Sequence, residues 1–251
     1  MKILDDYHTH TKYSHGVGTI EDNIESAIKK NLKTIAITDH GPGYKEYGID
    51  IGSFKKIKEE IKFLKEKYKD KINILLGIEA NIINKDGVLD VDESILKELD
   101  ILLVGFHFDI VYREFLESLR NEKRRNISLK NIISKDMYLE IEHINTEAMI
   151  KAVKSYNIDI LTHINDTFYV DVLAIAKAAS KNKTAIEINN FHKNPNIKSI
   201  KEMSKIENLK FSIGSDAHRP KDVGNFTMAL KKMEKCGILK ENILNKAYEN
   251  K

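Results

Sequence analysis

The sequence Ile3-Leu4-Asp5-Asp6-Tyr7-His8-Thr9-His10 sets the pattern of the fold, because a strand-like run over residues 3–7 is followed at once by two histidines. Residues i and i+2 of an extended segment point to the same side, so both imidazoles can reach one metal ion. Six further runs are mostly continuous apolar stretches, which is typical of parallel strands covered by helices. These runs span residues 34–38, 72–78, 101–105, 158–162, 185–189 and 209–214.

Helical patterns lie between the predicted strands. Ser53 predicts an N-cap ahead of an apolar stripe over residues 54–68, with three- and four-residue spacing. Thr19 and Asp22 resemble a capping box, and residues 170–179 are good helix formers. The repeated alternation predicts an α/β fold, either a barrel or a doubly wound sheet.

Length and composition favour one domain over residues 1–251, because 41% hydrophobic residues can bury a core and barrels reach this length undivided. The segment from Phe108 to Tyr138 is longer than one helix with ordinary loops requires, so we expect an insertion near the active site. No apolar run approaches the roughly 20 residues that span a bilayer, and residues 1–6 lack the apolar core of a secretory signal. We expect a cytoplasmic protein that does not bind membranes.

Charge and cysteine content narrow the function further. The formal net charge of +3, from 41 basic and 38 acidic residues, does not indicate a nucleic-acid or membrane surface. The single cysteine, Cys236, excludes a disulfide within the chain and a thiolate metal site, and at helical spacing from Met233 it is interpreted as a packing residue. Any metal ion must therefore bind through nitrogen and oxygen.

Six of the seven predicted strands end in a side chain that can bind a metal ion. In a barrel of parallel strands these ends converge on one face. One such histidine alone is more often structural, but a structural role does not explain seven of nine histidines at or just beyond strand ends. The set exceeds the needs of one ion and predicts two or three zinc, manganese or iron ions that share a carboxylate. Its members are His8, His10, His15, His40, Glu79, His107, His163, Asp216 and His218.

Six motifs contain most of these residues: Asp6-Tyr7-His8-Thr9-His10-Thr11, Ile37-Thr38-Asp39-His40-Gly41-Pro42, Gly77-Ile78-Glu79-Ala80-Asn81, Gly105-Phe106-His107, Leu161-Thr162-His163 and Gly214-Ser215-Asp216-Ala217-His218. Nearly end to end, they closely resemble the PHP family, the polymerase and histidinol phosphatase superfamily. The resemblance implies a distorted, TIM-like (β/α)7 barrel with the metal site at the C-terminal ends of the strands. Ile164 departs from the family, where many relatives place proline, and segment 108–138 does not align with it.

The resemblance also implies how three divalent ions divide the ligands. The expected sets are His8, His10, Glu79 and Asp216 for the first ion, Glu79, His107 and His163 for the second, and His15, His40 and His218 for the third. Six positive charges, less those of Glu79, Asp216 and one hydroxide, leave a surplus of about +3, which suits a phosphate dianion.

The resemblance implies a metal-dependent phosphoesterase, in which a metal-bridged hydroxide attacks a small phosphate monoester, with histidinol phosphate as one candidate. Glu79, Asp216 and His218 would act through the metal cluster. Asp39 and a metal-bound water are both candidates to protonate the leaving group. Arg219 is positioned to bind phosphate or to face solvent. His192 either lines the substrate pocket or is a loop residue, and His143 is interpreted as a surface or helix-capping residue.

Three other functions are compatible with such a site. A nuclease acting on nucleic-acid ends would need a basic channel with aromatic platforms, and neither stands out. A regulatory module without catalysis would be expected to have lost some ligands. A hydrolase of C–N bonds uses similar barrels and metals but would have a metal-bridging lysine, which the sequence lacks at these motifs.

Overall fold

Seven parallel strands form a nearly closed barrel in this computed structural model, which describes residues 1–43, 47–107, 135–166, 168–245 and 247–248. Each strand pairs in parallel with the next one along the chain, which confirms the α/β barrel over the doubly wound sheet. The strands are β2 (Asp5–Asp6), β3 (Thr34–Ile37), β4 (Asn73–Asn81), β5 (Ile101–Gly105), β6 (Ile160–Leu161), β7 (Ala185–Asn189) and β8 (Phe211–Gly214).

The segments that follow the first and last barrel strands meet each other. Thr9 and Ala217 form a parallel bridge, in which His10 N donates to Ala217 O at 2.8 Å and Ala217 N donates to His8 O at 3.3 Å. This contact joins β8 back to β2 at the C-terminal end of the strands. The His-x-His and Asp-x-His motifs therefore lie side by side.

The first predicted strand, residues 3–7, is divided in the structure. β1 (Lys2–Ile3) pairs antiparallel with β9 (Ala247–Tyr248) in a separate two-stranded sheet, and only β2 enters the barrel. Leu4 lies between them, and its carbonyl accepts hydrogen bonds from the backbone of Lys33 and Thr34, at 2.6 and 3.3 Å. This pairing aligns β2 with the start of β3.

Helices connect the barrel strands. The Thr19–Asp22 capping box ahead of α1 is confirmed. The N-cap predicted at Ser53 is wrong, because α2 begins earlier, where the Asp50 carboxylate accepts the Ser53 amide at 2.6 Å. The α-helices are α1 (Ile20–Lys29), α2 (Ile51–Lys67), α3 (Glu93–Leu96), α4 (Lys135–Ser155), α5 (Val172–Lys181), α6 (Ile197–Met203) and α7 (Thr227–Cys236).

The described residues form two apolar core clusters. The larger cluster fills the space between barrel and helices, and alternate strand residues such as Ile35 and Val104 belong to it. Successive strand side chains point to opposite faces, so their neighbours lie inside the barrel. The inner cluster contains Ala36, Ile101, Leu103, Ile160 and Ala185. It fills one end of the barrel and leaves the C-terminal ends of the strands to polar residues.

Several sequence-based predictions concern the periphery. Residues 108–134 of the predicted insertion lie outside the described residues, and the insertion and the single domain remain predictions. His143 is exposed on α4, which confirms the surface interpretation, and Cys236 packs half-buried against the larger cluster. Within the described ranges, no helix combines the length and apolar character needed to cross a membrane.

Candidate metal centre

The structure brings all nine predicted ligands together at the C-terminal end of the barrel. Most of them follow directly after a strand, whereas His15 comes from the loop between β2 and α1. Glu79 differs from the prediction, because β4 continues through it to Asn81 and pairs it with Leu103 of β5. A further bridge joins Glu79 to His40. Two neighbouring strand segments therefore hold this carboxylate in the middle of the cluster.

Glu79 is fully buried, and imidazole nitrogens surround both of its carboxylate oxygens. Oε1 lies 3.0 Å from His163 Nε2 and 3.3 Å from His107 Nε2. Oε2 lies 3.2 Å from a nitrogen of each of two further rings and 3.5 Å from a third. The rings nearest Oε2 are those of His8, His40 and His10. One carboxylate oxygen thus faces each of the first two expected ion positions.

Glu79 Oε2 and His10 Nδ1 are buried atoms of the cluster for which the described residues supply no hydrogen-bond partner. Leaving a buried nitrogen such as His10 Nδ1 unsatisfied costs about 1–3 kcal/mol. The His10 ring also stacks on those of His40 and His218, with centroids 4.5 Å away in both cases. Histidine nitrogens and carboxylate oxygens around a common centre are the donors that zinc, manganese and iron accept. The residues therefore fit a metal cluster.

In the described part of the chain, five groups of side chains present ligand atoms within 4.8 Å of one another. One group contains all three ligands expected for the third ion, together with His10. Another group contains three of the four ligands expected for the first ion. Glu79 belongs to two groups, in agreement with a shared carboxylate. The groups are His10/His15/His40/His218, His8/His10/Asp216, His8/Glu79/His163, His40/Glu79/His107 and His163/His192/Asp216.

Glu187 is a buried carboxylate of the site that the sequence-based argument missed. Its Oε1 lies 2.7 Å from His8 Nδ1, and its Oε2 accepts the backbone amide of His163 at 3.0 Å. A Cβ on Gly214 would lie 1.9 Å from Oε1, so the neighbouring strand must lack a side chain there. In the sequence, the feature that indicates such a buried carboxylate is a charged residue at an inward position of the otherwise apolar run Ala185-Ile186-Glu187-Ile188.

A second carboxylate supports the opposite side of the cluster. His107 Nδ1 is hydrogen-bonded to Asn81 Oδ1, and Asp90 accepts both the backbone and side-chain amide of Asn81, at 2.9 and 2.8 Å. Asp90 also accepts the Gly43 amide at 2.9 Å, beside the loop that carries His40. Such outer contacts set the ring orientation of a ligand.

Asp39, a candidate to protonate the leaving group, is hydrogen-bonded to a neighbouring loop. Its carboxylate accepts the backbone amide and the hydroxyl of Thr11, both at 2.7 Å, and the hydroxyl of Ser14. It therefore anchors the loop between His10 and His15. Within the described residues, Asp39 does not line the cavity above the cluster.

Two predicted ligands lie on backbone with positive φ, namely His163 at 24° and Asp216 at 53°. Residues other than glycine rarely adopt such conformations, which cost of order 1–3 kcal/mol and persist where surrounding contacts determine them. Ile164, directly after His163, is buried. The Glu187 hydrogen bond to the His163 amide holds this turn in place.

Burial and charge set the protonation states in the cluster. Burial lowers the pKa of the His40 and His107 imidazoles, and desolvation beside other histidines lowers the pKa of His15 to about 4. These rings are neutral at pH 7 and offer a lone pair. Burial opposes the charged forms of His8 and Glu79. The surrounding carboxylates, Glu79 first among them, nevertheless raise the pKa of His8, and the surrounding imidazoles, His8 first among them, lower the pKa of Glu79.

The cluster opens to solvent through a cavity of about 740 Å³. Val17 and Phe191 lie at its wall and are highly exposed. Arg219 lines the cavity, but its Nε donates to Asp222 at 2.7 Å. His192 also lines it, and the carboxylates beside it outweigh the effect of burial and raise its pKa to about 9. Both residues proposed to contact substrate thus face the cavity.

A parallel barrel with histidines and carboxylates gathered at its C-terminal end defines a class of α/β-barrel proteins with clustered metal ligands. Residues 6–191 match the PHP domain family, and the chain belongs to that family. Proteins named "Probable phosphatase" from Thermoanaerobacter sp. (strain X514) and Shewanella sediminis (strain HAW-EB3) are each 33% identical to it. The alignments cover 98% and 99% of this chain, and 91% and 92% of those relatives.

A solved structure shares the fold. Histidinol phosphate phosphatase from Lactococcus lactis, solved with zinc, L-histidinol and phosphate, matches with a TM-score of 0.61 and 16% identity. The match covers 95% of both chains. The family and the barrel expected from the sequence are confirmed.

Proposed function

We propose that this protein is a phosphoesterase that hydrolyses small phosphate monoesters with three divalent cations, zinc, manganese or iron, at the nine-residue cluster. One observation carries the proposal: the buried Glu79 carboxylate lies within 3.5 Å of five imidazole nitrogens, beside a cavity open to solvent. Bound there, cations would neutralise the phosphoryl oxygens and lower the pKa of coordinated water toward about 7.

The ligand division expected from the family is supported by the geometry around Glu79. Oε2 faces His8 and His10 of the first set, and Oε1 faces His107 and His163 of the second. The third set lies beside His10 at the cavity wall. Glu79, Asp216 and His218 would therefore act through the cations that they would hold.

The cavity suits a small substrate. About 740 Å³ lies within the range of small-molecule pockets, roughly 300–1,000 Å³. Arg219 lines the cavity, and it would bind a phosphate there in place of its hydrogen bond to Asp222. The named phosphatases among the relatives, and the histidinol and phosphate in the Lactococcus structure, support a phosphate monoester such as histidinol phosphate.

Asp39 acts in this proposal as a positioning residue. Its carboxylate accepts three hydrogen bonds from Thr11 and Ser14, which orient the loop of His10 and His15. A coordinated water is therefore the better candidate to protonate the leaving group.

The test is phosphate release from a panel of substrates after the metal-free protein has been reloaded with manganese or zinc. The panel contains histidinol phosphate, nucleoside monophosphates, glycerol phosphate, a phosphodiester and single-stranded DNA. We expect turnover of one or more monoesters to exceed that of the diester and DNA. Cleavage of the diester or DNA alone would assign the protein to nucleases, and metal binding without turnover would favour a non-catalytic module or a C–N hydrolase.

A further inference from the structure

His192 occupies a position that the nine-residue set does not explain. It follows β7, where Asn189 Oδ1 accepts the backbone amides of Phe191 and His192 at 2.7 and 2.9 Å. Lys232 Nζ donates to the His192 carbonyl at 2.6 Å. The imidazole is about one-quarter exposed and forms part of the cavity wall. Its backbone is thus held from two sides, and its ring faces the cluster.

The two ring nitrogens of His192 have different surroundings. Nδ1 lies 2.6 Å from Asp166 Oδ2, on the side away from the cluster. Nε2 points inward, 3.2 Å from Asp216 Oδ2, and the ring centroid lies 4.5 Å from that of His163. Metal-binding histidines almost always have such an arrangement, with one ring nitrogen bonded to a carboxylate or carbonyl and the other directed at the ion.

Two predicted ligands share this arrangement. His8 bonds Glu187 through Nδ1 and directs Nε2 at Glu79, and His107 bonds Asn81 through Nδ1 and directs Nε2 at Glu79. His192 repeats the pattern with Asp166 outside and Asp216 inside. A surface histidine with no role at the site is not expected to have the same pair of contacts, one at Nδ1 and one at Nε2, as two predicted ligands.

We propose that His192 is a tenth metal ligand, which binds a divalent cation together with His163 and Asp216. The inference rests on the proposed function for the presence of cations. The ligand atoms of these three residues lie within 4.8 Å of one another. Two imidazoles and one carboxylate form a donor set typical of zinc or manganese.

The two oxygens of Asp216 explain how one carboxylate can serve two positions. Oδ1 lies 3.6 Å from His8 Nε2 and 3.4 Å from His10 Nε2, on the side of the first ion. Oδ2 lies on the other side, near His192 Nε2 and 3.2 Å from the Asn189 amide. Asp216 would therefore bridge two cations, as proposed for Glu79, and His192 would complete the ligand set of the cation on the Oδ2 side.

The experiment compares His192→Ala with His143→Ala, because His143 is an exposed histidine on α4. Each protein is stripped of metal, reloaded with zinc or manganese, and titrated against a chromophoric chelator. We expect His192→Ala to bind one cation more than about 10-fold more weakly, with the other sites unchanged, and His143→Ala to match the wild type. Asp166→Asn should give a weakening of about 10-fold, because it removes the outer contact of the ring.

Equal affinity in His192→Ala and the wild type would overturn the proposal. If that variant instead raised only the inhibition constant of inorganic phosphate, His192 would be a substrate contact. Asp166→Asn keeps the histidine and tests the same prediction if His192→Ala fails to fold. A wild type that binds no cations would refute the proposed function itself, so the two failures are distinguishable.

Discussion

The two ends of the barrel interior are built from the same strands but have opposite chemistry. At one end, Ala36, Leu103 and Ala185 pack into a small apolar cluster. Toward the C-terminal end, the next inward position of β7 after Ala185 is Glu187, and β4 carries Glu79. Both carboxylates are buried. A step of two residues along a strand thus separates ordinary core from buried charge.

The two ends of the barrel are therefore stabilised by different interactions. Burial of apolar surface stabilises the inner cluster by roughly 25 cal/mol per Å². Buried carboxylates have the opposite tendency, because removing a charge from water is costly unless a partner compensates it. We therefore expect the apolar end to stabilise the fold without metal and the charged end to depend on its cations.

The largest expected effect is that of Glu79→Gln on activity. A neutral amide cannot bridge two cations, so phosphate release should fall by at least about 1000-fold, since bound cations lower the barrier by several kcal/mol. Metal analysis should show a loss of more than one ion per chain. Glu147→Gln, an exposed residue of α4, is the matched control and should leave both unchanged. Unchanged metal content in Glu79→Gln would rule out the bridging role.

The apolar end should respond in stability alone. Leu103→Ala should lower the free energy of unfolding by about 2–5 kcal/mol, because it leaves a cavity in a fully buried position. Urea unfolding with and without metal should give the same loss. The matched control, Leu239→Ala, alters a largely exposed leucine and should change the stability by less than about 0.5 kcal/mol. A loss confined to the metal-loaded protein would show that the two ends are not independent.

Removal of metal should destabilise the protein without unfolding it. A ligand that binds only the folded state stabilises it by about 2.7 kcal/mol per site at a free concentration of 100 Kd. Calorimetry at fixed pH should therefore show a lower Tm after chelation, with reversal when zinc or manganese is restored. An identical Tm in both states would contradict the dependence of the charged end on cations.

The smallest effect concerns the contact behind His8. Glu187→Gln should weaken one cation site by about 10–100-fold. The substitution removes the negative charge of the carboxylate that orients the His8 ring and accepts the His163 amide. Chelator competition measures the change. Glu234→Gln, on the exposed side of α7, serves as control. An affinity equal to that of the wild type would make Glu187 a structural residue only.

The parts of the site that follow from sequence are those with a local signal. His107 and Asp216 each follow an apolar strand run directly, so strand position and ligand type could be inferred together. The capping box of Thr19 and Asp22 is likewise a contact over three residues. Such patterns are visible without knowledge of tertiary structure.

The remainder depends on contacts between distant residues. The hydrogen bond of Glu187 to His8 spans 179 positions, and that of His192 to Asp166 spans 26. No local spacing encodes either one. The sequence pattern predicts one strand over residues 3–7, whereas pairing of residues 2–3 with residues 247–248 divides it.

The bridge between Thr9 and Ala217 also has a consequence for biosynthesis. The Ser215 hydroxyl donates to the His8 carbonyl across 207 positions, so His8 and His10 can acquire these partners only after residues 215–217 have been made. Contacts of such long range form slowly, because loop closure must precede them. Until then His8 and His10 have no Asp216 beside them, so the ligand set expected for the first ion would be complete only after this long-range contact has formed.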